Sequence, residues 1–261
     1  MTAPLAIAME MRGHDSWGVT DGDFVFKEAK AITEGFMDFE LEGPIYHTRA
    51  ASVGAVSERN AHPFDVTSAD GTTRVVGIHN GHIHNYQYLS TKYNRDIQVD
   101  SEHIFHHLAE GVPLDDIHGW GAVVWFEHKG GKVRRFLSKF GSWDNLHVAK
   151  LKDGTLCFAS TDSAITMAAR FANIDIKTFY DIKENVLYEF AQGDVLNGGK
   201  FEWGRGNEWH ATTTTSGRTS YGLQPVCAVP HCNNKVSTDN LICLGCLEET
   251  LIEYGMQKVT A

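Results

Sequence analysis

No cysteine precedes Cys157 in this 261-residue chain. Chemistry in the first half that calls for a thiolate nucleophile therefore lacks its reacting atom. Positive charge is also scarce: Lys+Arg 23 against Asp+Glu 33 leaves a net charge of −10. A phosphate-binding surface needs concentrated positive charge, so a nucleic-acid partner is disfavoured, a zinc-ribbon binder included. No apolar run approaches the roughly 20 residues that span a bilayer, and residues 1–11 lack the basic stretch and cleavage signal of a secretory leader. These absences predict a soluble, cytoplasmic protein with neither nucleic acid nor membrane as partner.

What is present is enough bulk for one substantial domain and an appendage, at 29.0 kDa and 42% hydrophobic content. Residues 2–12 place Leu5, Ala8, Met9 and Met11 at roughly helical spacing, and Gly13 stops the pattern. Residues 23–27 read as a strand, as does the run 74–78, which the Asn80-Gly81 pair is expected to end in a sharp turn. Asp100 to Glu102 offer a helix start before Ile104, Phe105 and Leu108, with Gly111 and Pro113 closing it. Residues 121–128, 133–138, 146–151 and 155–159 then read as a meander of strands. Asp162 offers a cap for a helix reaching Arg170, and 177–180 and 186–190 are two further strands. Many strands with few helices between blocks of them predict an α+β fold. The main domain, residues 1–197, is expected to give way to a polar, aperiodic linker over 198–223 and a tail over 224–261.

Several clusters carry chemical tools. Arg49 can fork onto a carboxylate, and the Asn80 amide beside the Gly81 N–H can face a developing oxyanion. Taken singly, such residues are usually a surface charge and a turn. Their order is more specific: Arg12-Gly13-His14-Asp15-Ser16-Trp17-Gly18, His47-Thr48-Arg49, Asn60-Ala61-His62-Pro63, His79-Asn80-Gly81, Asp100-Ser101-Glu102 and a closing segment, residues 158–163. Over residues 5–195 this series resembles the class II glutamine amidotransferases, which belong to the N-terminal nucleophile (Ntn) hydrolases.

The resemblance implies a four-layer αββα sandwich and a reaction in which an N-terminal cysteine attacks the side-chain amide of L-glutamine. Ammonia is then passed to an acceptor. It also implies roles: Arg49 clamps the substrate carboxylate, Asp100 accepts from its ammonium, Asn80 and Gly81 form the oxyanion hole, and Arg12 and His62 support the pocket. Relatives carry their cysteine on an apolar strand further upstream than the 11 residues before Arg12 allow. Thr2 would begin a helix rather than that strand, and Cys157 reads as a buried structural thiol. Two readings follow. The chain begins at an internal methionine of a longer gene and the full form is a glutaminase, or it is a non-catalytic glutamine-binding or scaffold protein of the same fold. The joint presence of Arg49, Asn80, Gly81 and Asp100 favours the first. With no synthase domain in residues 198–261, the ammonia acceptor is expected in trans, as in small stand-alone members found in phage genomes.

The tail is a separate constellation. Cys227, Cys232, Cys243 and Cys246 form two knuckle-like pairs whose spacing suits one structural zinc, with two local disulfides as the alternative. His231 could replace one thiol. His103 and His107 lie one helical turn apart, but no carboxylate motif accompanies them and a packed helix face is the expected reading.

Overall fold

In the computed structural model the described residues are 2–37, 39–141, 146–191 and 193–204. Cys227, Cys232, Cys243, Cys246 and the expected linker beyond Gly204 lie outside them. Among the described residues there are twelve strands and four α-helices: α1 (Thr2–Ala8), β1 (Ser16–Thr20), β2 (Val25–Glu28), β3 (Ile45–Arg49), β4 (Phe64–Thr67), β5 (Thr73–Ile83), α2 (Tyr86–Tyr93), α3 (Glu102–Glu110), β6 (Gly119–Lys129), β7 (Lys132–Phe140), β8 (His147–Leu151), β9 (Leu156–Ala159), α4 (Asp162–Phe171), β10 (Ile176–Tyr180), β11 (Val186–Ala191) and β12 (Asp194–Lys200).

The long strands β5, β6 and β7 anchor a six-stranded antiparallel sheet of order β12-β11-β7-β6-β5-β4. Successive side chains of a strand point to opposite faces, and both faces of this sheet are apolar. On one, Val75, Val123, Trp125 and Phe136 pack with Leu89 of α2 and Ile104 and Phe105 of α3. On the other, Ile78, Val124, Phe126 and Leu137 meet Ile45 of β3 and Val148 of β8. That second layer consists of two three-stranded sheets, β2-β1-β3 and β10-β8-β9. Beneath it, Leu5 of α1 and the small residues Ala164, Ala168 and Ala169 of α4 pack on β8 and β9. The α+β expectation is met, in the order helices, sheet, paired sheets, helices.

Three local expectations change. Asn80-Gly81 does not end β5: the strand runs on to Ile83, with Asn80 opposite Ala122 and Gly81 opposite Gly121. The 121–159 run is not one meander, because β7 pairs with β11 while the β8–β9 hairpin joins the other layer. Residue 197 does not end the domain either; β12 continues to Lys200 and Trp203 is buried, donating from Nε1 to Ser138 Oγ at 3.0 Å. Among the histidines of α3, His103 bonds Ser90 Oγ at 3.0 Å and His107 bonds Asp116 Oδ1 at 3.2 Å, so both serve packing against neighbouring segments.

Candidate active site

The site begins with an unpaired stretch of β5. Pairing with β4 stops at Gly77, opposite Phe64, so residues beyond Gly77 have a sheet neighbour only in β6. Backbone direction alternates along a strand. The Ile83 N–H turns away from β6 and donates to Asp100 Oδ2 at 2.7 Å. The N–H of Gly81, two residues earlier, therefore also faces the open side. A side chain at Gly81 is excluded on the opposite side of the chain, since a Cβ there would lie 2.1 Å from the Trp120 carbonyl oxygen. Glycine is required here by close approach between strands. The Asn80 side chain points to the second layer and donates from Nδ2 to Ser160 Oγ at 2.8 Å, just past the end of β9.

Arg49 closes β3 and is 5% exposed. Its Nη2 donates to Val53 O at 2.5 Å, while its buried Nη1 has no hydrogen-bond partner among the described residues. An unsatisfied buried donor on a cation is costly, and a carboxylate is the group that best relieves it. Asp15 fixes the turn that follows: its N–H donates to Arg49 O at 3.0 Å and its carboxylate accepts from Ala51 N at 2.8 Å. Asn60 holds the next loop through Ala55 O at 3.0 Å and Gln98 Oε1 at 3.2 Å. Burial lowers the Arg49 pKa, and the charges of Asp100 and Asp15 oppose that shift.

Behind Arg49 lies a histidine cluster. The rings of His47 and His62 sit 4.1 Å apart, and His79 bonds Ser101 Oγ at 2.8 Å. Burial, reinforced by mutual repulsion, brings His47 down to about 3 and holds His62 well below its ordinary value. His79 falls to about 4, again chiefly through burial. All three are neutral at pH 7, so they shape the wall without adding charge.

Arg12, Arg49, His62, Asn80, Gly81 and Asp100, named separately from the sequence, line one cavity of about 580 Å³. Cys157 lines it too, but burial raises its thiol to about 11 and its Sγ lies 3.8 Å from Ala149 O, the setting of an inert thiol. Ser160, Val53 and Asp15 were not singled out from the sequence as site residues. Ser160 and Asp15 lie inside the quoted segments, whereas a backbone acceptor such as Val53 O leaves no sequence signal.

In solved structures the chain is similar to glutamine phosphoribosylpyrophosphate (PRPP) amidotransferase from B. subtilis complexed with ADP and GMP, at a TM-score of 0.50 and 14% identity, covering 76% of this chain and 46% of that one. The allosteric regulatory enzyme of purine biosynthesis gives a TM-score of 0.52 at 15% identity, covering 76% of this chain and 45% of that one. The described residues share the fold of these two enzymes. In sequence, the chain is 38% identical over 102 residues to glutamine–fructose-6-phosphate aminotransferase [isomerizing] of Bacillus licheniformis. It is 36% identical over 103 residues to that of Staphylococcus epidermidis. Each match takes in 36% of this chain and spans only 16% of the relative's length. No protein-family model matches the chain. Among the described residues no helix is long and apolar enough to cross a membrane.

Proposed function

We infer that the domain is a glutamine-utilising amidotransferase module whose cavity binds L-glutamine at the Arg49 end. The single observation that carries this reading is the buried Arg49 Nη1, unpartnered among the described residues, in a cavity that also holds Asp100. A free amino acid offers both complementary charges: its carboxylate suits the guanidinium and its ammonium suits Asp100. The side-chain amide would then extend toward Asn80 and the Gly81 N–H. Those donors act when a nucleophile attacks the amide carbon and charge moves onto its oxygen. Arg12 and His62 complete the wall. The ammonia released would go to an acceptor supplied by another protein or domain.

The nucleophile belongs outside the described residues, because Cys157 is inert by burial. That same fact supports the second reading, a non-catalytic glutamine-binding or scaffold protein. Calorimetry with L-glutamine and a glutamate-release assay on the 1–261 chain separate these from no function in glutamine handling. Binding without release is expected. No binding of glutamine, with the protein folded, sinks both readings.

A further inference from the structure

Arg49 and Asp100 carry opposite charges in one cavity, and the Asp100 charge acts on the guanidinium. Their hydrogen bonds point elsewhere. Arg49 Nη2 donates to Val53 O at 2.5 Å, and Asp100 Oδ2 accepts from the Ile83 N–H at 2.7 Å, with His82 Nδ1 at 3.4 Å. Opposite charges attract, so a gap that admits a ligand between them has to be held open by the framework around them.

One loop reaches both sides of that gap. Residues 50–63 join β3 to β4. Near their start they offer Val53 O to Arg49, and near their end two neighbouring side chains grip the turn that carries Asp100. Asn60, fully buried, donates from Nδ2 to Gln98 Oε1 at 3.2 Å and to Ala55 O at 3.0 Å. Arg59 donates from Nη1 and Nη2 to the two carboxylate oxygens of Glu102, at 3.0 and 3.3 Å. Gln98 and Glu102 stand two residues to either side of Asp100. Between the two ends Gly54 lies against the same turn, where a Cβ would come within 2.8 Å of Gln98 O. Lys27 of β2 steadies the loop from outside, donating from Nζ to Arg59 O at 3.3 Å. An ion pair as exposed as Arg59–Glu102 adds little stability, but a forked guanidinium on a carboxylate fixes direction. The arrangement matters as geometry.

We propose that Arg59, Asn60, Gln98 and Glu102 are positioning residues that hold Asp100 at a set distance from Arg49, so that the cavity selects ligands bearing a carboxylate and an ammonium on the same carbon. A carboxylate alone reaches Arg49 wherever Asp100 stands. The neighbouring ammonium gains a contact only when the spacing is right. The selectivity rests on the glutamine reading above; the bracing of Asp100 does not.

The test variant is Arg59→Ala with Gln98→Ala in the 1–261 chain, since both side chains are largely exposed and their loss leaves the core intact. The probes are L-glutamine and glutaramate, which keeps the carboxylate and the amide but lacks the ammonium. Without substitutions, calorimetry is expected to show glutamine binding roughly 10- to 100-fold tighter, the worth of one charge-assisted hydrogen bond. In the double variant that ratio is expected to collapse through weaker glutamine binding, with the glutaramate Kd within about twofold of its original value. An unchanged ratio overturns the proposal, and so does equal weakening of both ligands, which general loosening would produce. Gln98→Glu alone keeps an acceptor for Asn60 Nδ2 and is expected to hold the original ratio; a ratio as low as that of the double variant overturns the role of the Asn60 contact.

A second readout needs no ligand. The Ile83 amide reports on the carboxylate it donates to, and its hydrogen exchange is expected to quicken about tenfold in the double variant while the Val124 amide of β6 keeps its rate. Unchanged Ile83 exchange overturns the bracing. Faster Ile83 exchange in a chain that binds neither probe retains the brace and rejects both the selectivity and the glutamine reading. Tight glutamine binding with exchange and ratio unmoved retains that reading and rejects the proposal.

Discussion

At the scale of the residue, Arg49 and Asn80 are expected to separate by when they act. Arg49 would meet charge already present on bound glutamine, so Arg49→Ala should abolish binding; truncating one partner of a buried charge pair costs about 2–5 kcal/mol. Asn80 would meet charge that develops only during attack, and Asn80→Ala should leave the calorimetric Kd nearly unchanged. Equal losses in the two variants contradict the assignment. The histidine wall gives a second residue-scale expectation, in stability. His47, His62 and His79 are neutral when folded, with pKa values below the ordinary 6.5. In the unfolded chain they take up protons as pH falls through about 6.5, while the folded state resists until about 4 for His79 and about 3 for His47. Their contribution is therefore fully present above 6.5 and lost as pH falls below it, by up to about 1.4 kcal/mol per pH unit for each group. Urea midpoints measured from pH 7 to pH 4 should fall steadily, and less steeply in His62→Phe. A flat profile would refute the neutral cluster.

Elements expose which parts of the fold a sequence can show. β6 and β7 were legible as runs of strand-forming residues either side of Gly130-Gly131, and α3 because its apolar stripe is long enough to register. β1, β3, β4, α2 and β12 were not read as elements from the sequence. Asn80-Gly81 shows the mechanism of error: the pair has turn chemistry, but the ladder to Ala122 and Gly121 and the proximity of the Trp120 carbonyl oxygen decide its conformation. Gly81→Ala should then behave as a core overpacking lesion rather than a turn substitution, costing about 1–3 kcal/mol or more. Chemical denaturation reads this directly, and a neutral result would return the turn explanation. Helix α4 is capped by Thr161, whose Oγ1 accepts from Ala164 N at 3.2 Å, one residue before the expected Asp162. Thr161→Ala should cost about 1 kcal/mol, whereas Asp162→Ala should cost less, through the helix dipole alone. The motif residues were legible as a set because each lies near the end of a strand or helix that the topology turns toward one cavity. Their assembly was visible only by resemblance, since nothing local says that residues 49, 80 and 100 meet.

At the scale of the whole molecule, the described domain closes its own core through Phe201 and Trp203, which pack with Phe140 and Trp125. A unit that buries its last residues in this way has no need of the distal cysteines for stability. The chain beyond Gly204 is polar and poor in apolar anchors until Cys227, so the spacing of Cys227, Cys232, Cys243 and Cys246 is proposed to serve a second, self-contained unit around one zinc ion. Thiolate coordination stabilises the segment that it closes, because binding and local folding are one equilibrium. Metal analysis of the purified chain should give close to one zinc per molecule, falling sharply in Cys243→Ser. Stripping the metal should leave the main thermal transition in place, since the described domain buries its own core. A large drop in that transition on chelation would show the two units to be coupled. A zinc-free native protein, or tail cysteines found in disulfides, would overturn the metal proposal.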